Sequence, residues 1–96
     1  MVDNPAETGV TDNPALHRFE LTVDGQVAFA NCRRESGHWT ISYVETPITL
    51  RGGGVAGRLM RGVLEEARRQ GVKVTPLCAY AVAYMKRHPE YGDLTA

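Results

Sequence analysis

Arg51-Gly52-Gly53-Gly54-Val55-Ala56 is a glycine-rich turn with an arginine in front and an amphipathic segment behind. Where such a turn opens a helix, several backbone N–H groups lack an intrahelical acceptor and the macrodipole favours negative charge. Glycines leave the backbone open to an approaching oxyanion, and Arg51 can add a charge-assisted contact. The chemistry these residues suit is phosphate binding. Two familiar phosphate loops do not fit. A P-loop needs Lys then Ser or Thr after its last glycine, where Val55 and Ala56 stand. Gly52-x-Gly54-x-x-Gly57 has the dinucleotide spacing, but no acidic residue stands about 20 positions later. One βαβ unit in a chain of 96 residues also cannot build a doubly wound sheet.

The elements that must hold this loop are legible in the periodicity. Phe19, Leu21 and Val23 alternate with Arg18, Glu20 and Thr22, which predicts a half-buried strand. Asp24-Gly25 is a type I′ pair, and Val27 and Phe29 lie on the returning strand. Trp39, Ile41 and Tyr43 repeat the alternation after a turn at Ser36-Gly37, so three antiparallel strands precede the loop. Val55, Ala56, Leu59, Met60, Val63, Leu64 and Ala67 share one helical face, and Gly71 sits where a C′ residue belongs. Val72 to Leu77 predicts a buried strand after a right-handed crossover. Tyr80, Ala81, Tyr84 and Met85 predict a second helix, stopped near His88 by Pro89.

Size and composition bound the answer. A chain of 96 residues supports one domain, placed at 16–96, and the breaker-rich polar stretch from Met1 to Ala15 reads as a flexible leader. Eleven basic and eleven acidic residues balance, giving no global attraction to nucleic acid or an anionic membrane. The local bias is sharper: Thr46 to Arg61 holds three arginines and no acid. Two cysteines, Cys32 and Cys78, make no disulfide framework and show no metal-ligand spacing, so no metal is expected. With no signal peptide or long apolar run, a cytoplasmic location is expected.

Arg51-x-x-Gly54-x-Ala56 resembles the R/Q-x-x-G-x-G/A signature of the GNAT-type N-acetyltransferase superfamily. The resemblance extends through Glu45-Thr46-Pro47, Thr75-Pro76-Leu77-Cys78-Ala79-Tyr80, Tyr84, Arg87-His88-Pro89-Glu90-Tyr91 and Asp93-Leu94. Over about His17 to Leu94 these residues are similar to the compact GNAT-like proteins sometimes called the YjdJ type. That likeness implies an α+β trimmed GNAT fold, with a mixed, mostly antiparallel sheet in βββαβα order. It also implies acetyl-coenzyme A as co-substrate and acetyl transfer to an amine, small molecule or protein lysine, by direct attack on the thioester. Where such proteins read roughly His-Thr-Glu-Val-Pro, this chain has Tyr43-Val44-Glu45-Thr46-Pro47, so the histidine and the threonine at its side are absent.

The likeness also distributes roles. Backbone N–H groups of Gly52, Gly53, Gly54, Val55, Ala56 and Gly57 grip the pyrophosphate, with Arg51 and Arg58 as cationic helpers, while Arg61 reads as a solvated helix face. Glu45 ends the strand that runs beside the pantetheine arm and is the candidate base; a backbone N–H near Glu45 or Thr46 polarises the acetyl carbonyl. Cys78, at the end of the next strand, either takes up the acetyl group or lines its pocket. Tyr80 and Tyr84, one turn apart, are candidates to protonate the leaving thiolate, Tyr80 also standing near the cofactor, and His88 suits a helix cap. The alternative to an enzyme is a non-catalytic coenzyme A or acyl-coenzyme A binding module, or a plain interaction domain.

Overall fold

The computed structural model describes residues 8–95, with a five-stranded sheet in the order β1-β2-β3-β4-β5. β1 (Val10–Asn13), β2 (Arg18–Val23), β3 (Gln26–Glu35) and β4 (His38–Glu45) run antiparallel, each beside the next. Helix α1 (Val55–Gln70) crosses to β5 (Lys73–Pro76), which pairs with β4 in parallel, and α2 (Ala79–Arg87) follows. The α+β class, the mixed sheet and the βββαβα core are as expected, with one further strand at the N-terminal edge.

Alternation in the strands sends one set of side chains to a single core. Phe19, Leu21, Ala28, Ala30, Cys32, Trp39, Ile41 and Val74 are all 3% exposed or less. Leu59, Met60, Val63, Leu64 and Ala67 of α1 belong to the same cluster. At about 1.5–3 kcal/mol for each large apolar side chain removed from water, this contact is the main reason the helix stays on the sheet. Gly71 ends α1, its N–H bonding the Ala67 and Arg68 carbonyls. Tyr84 and Met85 of α2 join the core, as do Tyr91 and Leu94 from the 3-10 segment Pro89–Leu94. Thr95 bridges in parallel to Val74.

Part of the segment expected to be a leader is a paired strand. Met1 to Glu7 lie outside the described residues, but Val10–Asn13 pairs in register with β2, and Val10 is 3% exposed. One buried apolar residue among polar ones leaves almost no periodic signal, so tertiary contacts make this strand. Arg34 donates two hydrogen bonds to Asp12, at 2.8 and 2.6 Å, and Arg58 Nε donates to the Thr8 carbonyl at 3.1 Å. Gly62 supplies the space: a Cβ there would stand 2.6 Å from Val10 Cβ and 2.9 Å from Thr8 Oγ1.

A bulge prepares the far end of β4. Asn31 pairs with Tyr43 and Cys32 with Ile41, so Ser42 is the extra residue. The phase then changes. Trp39 and Ile41 are buried before it, and after it Val44 packs on the core while Tyr43 is about half exposed. Pairing with β5 ends at Ile41↔Pro76, and the Leu77 N–H reaches the Ile41 carbonyl at 2.9 Å. β4 runs on to Glu45 while the other chain turns into α2, so the two parallel strands part.

Candidate functional site

Beyond the carboxyl ends of β4 and β5, where open parallel arrangements place ligands, lies a groove of about 270 Å³. Thr46, Arg51, Gly52, Gly54, Val55, Ala56, Gly57 and Tyr80 line it, together with Leu50. Gly54 is the N-cap of α1 with φ +82°, and Gly52 has φ +86°. Both sit in the left-handed region, and a Cβ at either would meet nothing within 4 Å. The helix starts with no capping side chain and no acidic residue in its first turn. Its first-turn N–H groups therefore stand beside the groove with no side-chain cap and no acidic residue within the turn.

Arg51 ties this loop to the end of β4. Its Nε donates to the Thr46 carbonyl at 3.0 Å, and its Nη2 lies 3.4 Å from Glu45 Oε2. The other carboxylate oxygen, Oε1, accepts the Tyr43 hydroxyl at 2.5 Å. This acceptor raises the Tyr43 pKa, because a hydrogen bond to a carboxylate favours the neutral phenol. Tyr43, Glu45 and Arg51 thus form one continuous polar chain from the parting of the strands to the glycine loop.

Not every residue expected at the site reaches it. Arg58 does not line the groove: it lies on the flank of α1 that faces the N-terminal segment, and its guanidinium serves the Thr8 carbonyl. Gly53 lies in the loop, its N–H bonded to the Leu50 carbonyl at 3.4 Å, but does not line the groove. Tyr84 is 5% exposed and packed between other rings, 4.0 Å from His88 and 6.5 Å from Tyr91. Burial raises its pKa, and also that of Tyr80. Tyr80 is the tyrosine of the pair at the groove, its hydroxyl 3.7 Å from where a Cβ on Gly57 would stand. The Cys78 thiol caps α2, accepting the Ala81 N–H at 3.4 Å, and does not line the groove. Glu45 is likewise outside it.

Leu50 carries no signal in the sequence, and Tyr43 reads there as a core or edge aromatic with no chemical role. Leu50, in the 3-10 turn Ile48–Leu50, forms part of the groove wall. Tyr43 had a signal, since residues two apart on a strand share a face and Tyr43 and Glu45 are such a pair.

A family model described as GCN5-related N-acetyl-transferase matches residues 18–94, a stretch that contains every residue of the groove. The chain belongs to that family. As a GCN5-related N-acetyltransferase it is similar in fold to a GCN5-like protein from Staphylococcus aureus, provisionally assigned as an N-acetyltransferase. That solution structure matches with a TM-score of 0.66 at 18% identity, covering 91% of this chain and 86% of that one. No curated protein matches the sequence at a significant level. Strand β1 lies outside the residues that the family model matches.

Proposed function

We propose that this N-acetyltransferase binds acetyl-coenzyme A through its 51–57 loop and passes the acetyl group to an amine by direct attack on the thioester. The observation that carries the reading is the groove at the uncapped start of α1, lined by Arg51 and backed by glycines whose missing side chains leave open space. These residues fit a pyrophosphate: donors without acceptors, one cation, and no acid in the first helical turn. Sites for drug-sized ligands take about 300–1,000 Å³, so a groove of about 270 Å³ accommodates part of coenzyme A, the rest following the free end of β4. Acetyl-coenzyme A, when bound, supplies the activated acyl group.

The chain's own residues would do the rest. Backbone N–H groups of Val55, Ala56 and Gly57 bind and orient, and Arg51 adds charge. Glu45 accepts a proton from an ammonium at its carboxylate, and Tyr80 holds a proton at its hydroxyl on the groove wall. A phenol is protonated at neutral pH, and burial moves Tyr80 further in that direction. Cys78 caps α2 and so sets the position of Tyr80 two residues on. With Cys78 and His88-Pro89-Glu90-Tyr91 in place, the compact YjdJ type remains our reading of the subfamily. The acceptor is a small amine or a protein lysine. Both cysteines are free, which suits a reducing cytoplasm, and among the described residues no helix is long and apolar enough to cross a membrane.

Release of coenzyme A thiol, followed with a panel of polyamines and lysine peptides, tests the reading. Amine-dependent release that falls at least about tenfold in Arg51→Ala is expected, since a hydrogen bond to a charged group is worth about 1.5–3 kcal/mol. Tight binding with no turnover on any amine would instead identify a coenzyme A binding module.

A further inference from the structure

Arg51 is the cation of the cofactor groove, yet in the free protein its guanidinium is already committed. Nε is held by the Thr46 carbonyl at 3.0 Å and Nη2 faces Glu45 Oε2 at 3.4 Å. Glu45 does not line the groove. It sits at the end of β4, past the parting of the strands, and its second oxygen is taken by Tyr43. The Arg51 side chain is 58% exposed and that of Glu45 34%, so this pair is weakly held and free to exchange partners. A pyrophosphate is the better partner for a guanidinium, carrying more charge and presenting it where the first-turn N–H groups of α1 add to the attraction.

We infer that Glu45 is an internal competitor for Arg51: cofactor phosphate draws the guanidinium off the carboxylate, and Glu45, still hydrogen-bonded to Tyr43, is left without its cationic partner and more available to a cationic amine. The inference rests on the coenzyme A reading of the groove and adds a coupling between its two ends. Before exchange, the negative charge at the acceptor end is paired within the protein. After exchange it is unpaired, and a protonated amine is the species it attracts. Cofactor would therefore strengthen amine binding, by no more than the few-fold that an exposed ion pair is worth. Glu45 would also set cofactor affinity below what the loop alone could reach, although it lies outside the phosphate groove. No bond is made or broken in the step; one ion pair replaces another.

Titration calorimetry with coenzyme A on the wild type, Glu45→Gln, Arg51→Ala and the double variant tests this without any turnover. Removing the competing charge is expected to tighten binding by about two- to fivefold, the size an exposed ion pair supports. That gain must vanish when Glu45→Gln is made in the Arg51→Ala background. A gain of equal size in that background would show simple repulsion between Glu45 and phosphate, and would overturn the competition. Binding by the wild type with unchanged affinity in Glu45→Gln overturns the coupling and leaves the groove assignment intact. Absence of binding by the wild type removes the groove assignment and the coupling together. The Arg51 Nε resonance, expected to shift on addition of coenzyme A in the wild type, gives a second reading; a stationary resonance at saturation contradicts the exchange.

Discussion

Cys32 and Cys78 carry the same functional group in opposite settings. Cys32 lies in the core at 1% exposure, and desolvation pushes its thiol from 9.0 up to about 11, outweighing the favourable charge of Arg34. Cys78 is partly exposed at the start of α2. At pH 8, a disulfide reagent should therefore modify one thiol per folded molecule quickly, in Cys78, and reach Cys32 only on unfolding. Two fast thiols in the native protein would contradict the burial. The same shift has a consequence for stability. A group whose native pKa is raised favours the native state less once the unfolded form ionises, so stability should decline as pH rises from 9 towards 11. At this scale the sequence shows residues whose role depends on local chemistry, such as the glycines and Arg51. It hides roles decided by where a long side chain turns: Arg58 looked like a phosphate ligand and serves the Thr8 carbonyl, and the chain Tyr43–Glu45–Arg51 spans two elements.

Helix α1 was readable end to end because its start, stripe and stop are written in consecutive residues, from Gly54 to Gly71. Strand β1 was not, because its stability is tertiary: one buried valine, an arginine pair from β3, and a notch in α1 at Gly62. A methyl group on Gly62 would collide with Val10 and Thr8. Gly62→Ala is accordingly expected to cost about 1–3 kcal/mol, the usual range for overpacking, and Val10→Ala in the same chain should recover part of it. Removing residues 1–15 should cost about 1.5 kcal/mol or more through the burial of Val10 alone. Thermal unfolding checks both. A truncated protein that melts at the wild-type temperature would mean that β1 is not docked.

At the scale of the whole molecule, equal numbers of acidic and basic residues conceal an arrangement. Hydrogen bonds from Arg18 and Asn13 hold the Glu20 carboxyl below its ordinary 4.5, and Arg68 holds Asp93 below 3.8. Depressed carboxyls stabilise the native state above their ordinary values and lose that effect as pH falls through the native ones. The melting temperature should thus be flat near neutrality and fall below about pH 4.5, less steeply in Arg18→Gln. The fold as a whole was legible because sheet, crossover and helices follow from periodicity. The parting of β4 from β5 was not, because a bulge at Ser42 leaves no compositional mark. Phosphate is the group that the uncapped start of α1 and Arg51 would hold. Calorimetric titration with coenzyme A and, separately, with pantetheine lacking its phosphates measures that directly. Coenzyme A should bind at least about tenfold more tightly, the equivalent of one lost charge-assisted hydrogen bond; equal affinity for the two would mean that the loop does not hold phosphate.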